Sequence, residues 1–203
     1  MKAFWKIAKP VLFHVAIYAA ALATLAPFIW MVLTSFKDLG EILLYPPKWL
    51  PSKLEVDNYL NAFAAAPFGR FYLNSIFVAT AVTAGQLITC TMAAFAFARL
   101  QFRGREPLFM LFLGTMMIPG QVTMIPSFML LYWLGWIDTY YALIVPGLAS
   151  AFGTFLLRQF FLTIPRELED AAYIDGCSRS GVLWRIILPL SKPALATLAV
   201  FTF

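Results

Sequence analysis

Thr163-Ile164-Pro165-Arg166-Glu167-Leu168-Glu169-Asp170-Ala171-Ala172-Tyr173-Ile174-Asp175-Gly176-Cys177-Ser178, continuing to Ile186-Ile187-Leu188-Pro189, is a polar stretch set between apolar ones. Its local chemistry predicts two short helices. Thr163 suits a helix cap, Pro165 suits a first turn, and acids at 167, 169 and 170 suit the positive end of a helix dipole. Asp175-Gly176 ends that helix, because glycine accepts a left-handed conformation. Ser178 caps a second helix. Leu183, Ile186, Ile187 and Leu190 then follow at i, i+3, i+4 and i+7, one apolar face. Such an elbow is either an amphipathic loop lying on lipid or a rigid knob that fits a groove on a partner. Composition alone leaves both open.

Outward from this stretch the chain is too apolar for a soluble fold. Hydrophobic residues make up 62% and charged residues 12%, against about 25% charged in an ordinary soluble domain. Mean hydropathy is +0.79. The surplus has to face lipid, and the 20 Phe and 6 Trp fit lipid contact and interfacial anchoring. Val11 to Thr34 is the first apolar run. Ala21-Leu22-Ala23 resembles a signal-peptide cleavage site, but the run exceeds the ~7–15 residues of a signal core and suffices for a ~30 Å hydrocarbon layer. It reads as an uncleaved first helix, kinked at Pro27. Ser35 to Arg70 reads as a turn-rich, nearly neutral external loop. The second span, Phe71 to Ala98, holds the small-residue pairs Ala81/Gly85 and Ala94/Ala98, which let helix backbones approach closely. A third span is expected from Pro107 to Ile125, its far end interrupted by Pro119-Gly120 and Pro126, then an interfacial helix over Ser127 to Asp138, then a fourth span from Thr139 to Phe160. Pro193 to Phe203 is too short to cross the core as a helix, so the expectation is a C-terminally incomplete sequence that breaks off inside a fifth span.

The charges orient these spans. With the amino terminus in the cytoplasm, the inner segments hold Lys2, Lys6, Lys9, Arg99, Arg103, Arg105, Arg158, Arg166, Arg179, Arg185 and Lys192, and the outer segments hold only Lys37, Lys48, Lys53 and Arg70. The opposite orientation violates the positive-inside tendency. Residues 163–192 are therefore expected on the cytoplasmic side. The net charge of +5 lies at the ends of apolar runs and forms no continuous stripe, which argues against nucleic acid.

Catalytic and ion-coupled chemistries find little support. Cys90 sits in an apolar run and Cys177 in the polar loop, with no Cys/His spacing for a metal. The predicted spans contain no acid, whereas ion-coupled carriers bury acids or histidines along their path. His14 is the only histidine and reads as facing the headgroups. Ser75, Ser127 and Ser150 have no His or Asp beside them in sequence. The phosphate-binding pattern Gly-x-x-x-x-Gly-Lys-Ser/Thr is absent, so any nucleotide has to bind another subunit. Asn74, Gln86 and Gln121 are polar at or near membrane depth. They either line a solute path or hydrogen-bond between helices.

The order of residues in the 163–192 loop resembles the EAA signature of binding-protein-dependent ABC importer permeases: Glu-Ala-Ala, three residues, Gly, nine residues, Ile-x-Leu-Pro. Here Ala171-Ala172 is followed by three residues and Gly176, and nine more lead to Ile186, Leu188 and Pro189. Asp170 stands where that family usually has Glu, one methylene shorter, and Cys177 where a small residue is usual. Pro46-Pro47-Lys48-Trp49, Asn58-Tyr59, Asn74-Ser75, Ile118-Pro119, Gln121-Val122, Ile125-Pro126 and Asp138-Thr139-Tyr140 are similar to the carbohydrate-uptake branch, of the maltose-transporter permease kind. The resemblance implies an all-α polytopic bundle of the type I importer permease kind, with four complete transmembrane helices and the start of a fifth. It implies one transmembrane domain over 1–203 with 163–192 as its coupling loop, seated in the cytoplasmic (inner) membrane of a bacterium or archaeon. It also implies ATPase subunits that bind the ATP and Mg, a second permease chain, and an extracytoplasmic solute-binding protein. Asp170, Ala171, Ala172, Asp175, Gly176, Ile186, Leu188 and Pro189 are the expected ATPase-coupling residues, and a sugar or other polyhydroxylated solute is the expected cargo.

Overall fold

A 34-residue helix, α1 (Lys2–Ser35), opens the chain and runs unbroken through Pro27. Its stretch Val11–Ser35 is long and apolar enough to cross a membrane. The computed structural model describes residues 2–203. The side chains of residues 1–8 and 10 lie outside that description, Lys2 and Lys6 among them. The chain divides into two compact units at the Arg70/Phe71 boundary.

In the first unit the turn-rich segment after α1 is more ordered than its composition suggests. It holds two short helices, α2 (Leu39–Ile42) and α3 (Asp57–Ala65). Asn58 Nδ2 donates to the carbonyls of Ser35 at 3.1 Å and Lys37 at 2.9 Å, and the Tyr59 and Ser35 hydroxyls lie 2.6 Å apart. The Asn-Tyr pair thus pins α3 to the end of α1. Lys37, expected as a loop charge, is 2% exposed. Its ammonium stacks 4.3 Å from the Trp30 ring and donates to the Lys48 carbonyl, so the buried cation has both a π face and an acceptor. The Trp30 and Trp49 rings meet edge to face at 5.1 Å.

Helix α4 (Phe68–Arg99) has 32 residues, nearly the length of α1. α5 (Arg105–Gly114) continues as a 3₁₀ turn over Thr115–Met117. Here one of two expected breaks appears. The interruption expected at Pro119-Gly120 is present, because Ile118 precedes Pro119 and is driven extended (φ −83°, ψ 115°), whereas the one expected at Pro126 is not. The chain turns by 97° into α6 (Gly120–Trp133), which accommodates Pro126 within it. The interfacial helix expected over Ser127 to Asp138 is thus the second half of a helix that starts at Gly120. The fourth span is present as Tyr140–Thr163. It consists of α7 (Tyr140–Ile144), a 3₁₀ turn over Val145–Leu148, and α8 (Ala151–Thr163). Ala149 and Ser150 are extended between them, and the Ser150 hydroxyl accepts from the Gly153 amide to cap α8. Among the described residues three helices are long and apolar enough to be spans singly, and up to five if each bent pair counts as one.

The small residues of α4 are where this unit closes. Gly85 lies against the Leu148 side chain, Gln86 Nε2 donates to the Gly147 carbonyl at 2.8 Å, and Thr89 donates to the Leu148 carbonyl. A Cβ on Gly153 would lie 3.0 Å from both Cys90 Sγ and Leu198. Ala94 and Ala98 are 0% and 1% exposed. No room remains at this contact, so Ala98→Leu is expected to destabilise the protein by about 1–3 kcal/mol. Thermal unfolding in detergent reads this directly, and an unchanged midpoint would contradict close packing of α4.

Candidate functional site

The 163–192 segment is built as two layers around a turn. Ile164, preceding Pro165, is extended (φ −75°, ψ 127°) and ends α8. Thr163 therefore belongs to the end of α8, where its hydroxyl donates to the Phe160 carbonyl, and it does not cap the next helix. The Ncap of α9 (Glu167–Ile174) is Arg166, with no side-chain cap. Glu167, Glu169 and Asp170 occupy its first turn, where carboxylates favour the unpaired amides. At the other end Gly176 takes φ +80°. The Cys177 amide donates to Ala172 O at 2.8 Å and the Gly176 amide to Tyr173 O at 3.0 Å, the paired bonds of a Schellman cap. Ser178 then caps α10 (Arg179–Val182), its hydroxyl accepting from the Gly181 amide.

The second helix departs from a regular period. Leu183–Ile187 winds as a π-helix, with the Leu188 amide bonded to Leu183 O, before α11 (Leu188–Leu190) and α12 (Lys192–Thr202). The wider turn rotates the residues beyond it about the helix axis. Leu183 and Ile187 are buried and Ile186 is half-buried, but Leu190 leaves the expected apolar face and is 47% exposed. Val182, outside that expected set, is fully buried in its place. Buried Ser191 donates to Ile187 O at 2.7 Å.

The inner layer of the loop is part of the unit's core. Ala172, Val182, Leu183 and Ile187 share one buried cluster with Cys90, Ala94, Phe95 and Ala98 of α4 and Leu157, Phe161 and Ile164 at the end of α8. The close approach at Ala172 is therefore to this chain's own core. Asp170, Ala171, Asp175, Gly176 and Pro189 are exposed, and Leu188 is half-buried. The acid that turns inward is Glu169. Its carboxylate lies 2.8 Å from Arg99 Nε, with the two side chains 8% and 4% exposed. Burial pushes the Glu169 carboxyl above its ordinary value, and Arg99 and Arg166 pull it back. Arg99 Nη2 also donates to the carbonyls of Phe161 and Ile164, each at 2.6 Å. Arg158 forms a second brace. It donates to Phe97 O and Glu106 and lies 4.1 Å over the Phe109 ring. Sequence reading missed both braces, whose partners lie 49 to 70 positions apart.

The three polar residues expected at membrane depth do not converge. Asn74 accepts from Tyr140 OH at 2.7 Å, and Gln86 bonds Gly147 O and Thr202 Oγ1. These are interhelical bonds. Gln121 is exposed on α6.

Broken helices, a tightly packed α4 and a surface elbow define a polytopic helical membrane protein. Residues 86–203 match the family described as binding-protein-dependent transport system inner membrane component. The chain belongs to that family and is a multi-pass inner-membrane protein. It is 38% identical to Protein LplC of Bacillus subtilis over 178 residues, covering 88% of this chain and 60% of that one. It is 36% identical to the polygalacturonan/rhamnogalacturonan transport system permease protein YtcP of Bacillus subtilis, covering 89% and 63%. With the sn-glycerol-3-phosphate transport system permease protein UgpE of Yersinia enterocolitica the identity is 35%, covering 94% and 70%. The chain thus spans 60–63% of the length of the first two of these relatives. Among solved structures it resembles a bacterial ABC transporter involved in the import of the acidic polysaccharide alginate. That match has a TM-score of 0.85 and 27% identity, and covers 95% of this chain and 68% of the other.

A Cβ at Gly176 would meet no atom within 4 Å, so any cost of substitution there is conformational. Gly176→Val is expected to lose about 1–2 kcal/mol, and Gly176→Asn, which tolerates the left-handed region, markedly less. Equal melting points for the two variants would contradict the cap.

Proposed function

We propose that this chain acts as a permease subunit of an ATP-driven importer, and that 163–192 is the loop through which a separate ATPase drives it. The observation that carries the reading is the loop's two-sided construction. One side is fixed into the transmembrane core, and the other presents Asp170, Ala171, Asp175 and Gly176 outward beside two stiff caps. A loop merely resting on lipid has no need of such anchoring. Ile186, Leu188 and Pro189 return the chain to the membrane. Asp170 and Asp175 offer charge to a groove on the partner, and Ala171 permits close approach.

On this reading the amino terminus and the loop face the cytoplasm, in keeping with the basic residues. ATP and Mg bind the ATPase, whose closure pulls the loop and switches the attached helices between inward-open and outward-open. A second permease chain completes the pathway, and an extracytoplasmic solute-binding protein delivers the cargo. The chain itself is a transport subunit with no catalytic set. The relatives' names join polysaccharide and glycerol phosphate transport, which favours a polyhydroxylated solute.

The test is purification of the tagged protein from its native membrane, followed by uptake into proteoliposomes. A nucleotide-hydrolysing subunit is expected to co-purify, and labelled sugar is expected to accumulate only with ATP and a binding protein. Uptake driven by a proton or sodium gradient without ATP would overturn the proposal in favour of an ion-coupled carrier.

A further inference from the structure

The 163–192 loop joins covalently to α8 and to α12, but not to α4. Among the described residues, every polar link from α4 to the loop is made by Arg99, the last residue of that helix. Its guanidinium sits where two helix ends meet. Nη2 takes the carbonyls of Phe161 and Ile164 at the C-terminal, negative end of α8, and Nε faces Glu169 in the first turn of α9. Arg99 Nε and Glu169 Oε1 meet as an ion pair at 2.8 Å that is not aligned as a hydrogen bond, and neither atom has a hydrogen-bond partner among the described residues. A buried ion pair is a poor way to gain stability, since well-packed apolar side chains of similar volume do as well or better. What this pair adds is position: the guanidinium hydrogen-bonds the carbonyls of Phe161 and Ile164, and its charge holds the Glu169 carboxylate beside them. The helix so held also carries Gln86, bonded to the Gly147 carbonyl and to Thr202 of α12. Movement of α4 therefore reaches the middle of the bundle.

We propose that Arg99 and Glu169 are a positioning pair that makes α4 travel with the coupling loop as one body, so that force on the loop reaches a helix to which it is not joined in sequence. The inference rests on the importer reading above and goes beyond it by assigning a role to two residues outside the EAA signature. Asp170, on the exposed side of α9, stays available to the partner. Glu169 works inward.

The experiment uses the complete importer, with its ATPase and binding protein, in proteoliposomes. Wild-type complex is measured first, and absence of ATP-dependent uptake there would refute the importer reading itself. In Glu169→Gln and Arg99→Gln complexes, ATP hydrolysis is expected to persist while solute taken up per ATP falls about tenfold. Uptake per ATP equal to wild type would reduce the pair to a static brace and overturn the proposal. A second readout leaves the pair intact and stands even if both variants fail to assemble. Spin labels are placed on Met92→Cys of α4 and Ile174→Cys of α9, both exposed, in a Cys177→Ala background. Their separation is expected to be the same in nucleotide-free and ATP-bound complexes. A separation that changes between those states would mean that α4 and the loop move independently.

Discussion

Arg99 is a cation enclosed by protein at the end of a long apolar helix, and the lower half of the second unit is arranged to satisfy it. An enclosed charge left unpaired carries a penalty of several kcal/mol. That requirement fixes three elements at once. The end of α8 must bring its unbonded carbonyls within reach, α9 must turn Glu169 inward, and α4 must extend far enough to place the guanidinium between them. The unpaired carbonyls of a helix end and the acidic first turn of the next helix are natural surroundings for a positive group.

Around this polar centre the packing follows from side-chain size. Gly85, Cys90, Ala94 and Ala98 let α4 approach its neighbours, and Gly147 and Gly153 answer from the other side. In lipid, where burial of apolar surface gives no net drive, close van der Waals contact and interhelical hydrogen bonds hold helices together. The bonds of Asn74 and Gln86 are of this kind. Ion pair, caps and core coincide at the end of the unit that carries 163–192, which is the stiffness the proposed lever needs.

What could be read from the sequence was local. Gly176 ends α9 and Ser178 caps α10 because single residues next to a helix end decide those features. The long apolar runs of α1 and α4 were legible for the same reason. Contacts between distant residues were not. Asp170 stands at the acidic position of the signature, yet its neighbour Glu169 is the buried acid, and only the position of Arg99 in space distinguishes them. Thr163 is a plausible cap in isolation, but Ile164 before Pro165 terminates α8 there first. Leu190 fits a 3.6-residue period that the π-helix over Leu183–Ile187 abolishes. Ile118-Pro119 and Pro126 are both breaks on paper; the first bends the chain by 97° and the second is absorbed within α6.

The central claim is that the loop has one face for the membrane bundle and one for a motor subunit, and the adjacent alanines test it most directly. Ala171 is exposed, whereas Ala172 is 6% exposed within the core. A photo-crosslinking residue at each position in turn, activated in the assembled complex, should attach position 171 to the ATP-hydrolysing subunit and position 172 only within this chain. Equal attachment from both positions, or from neither, would contradict the account.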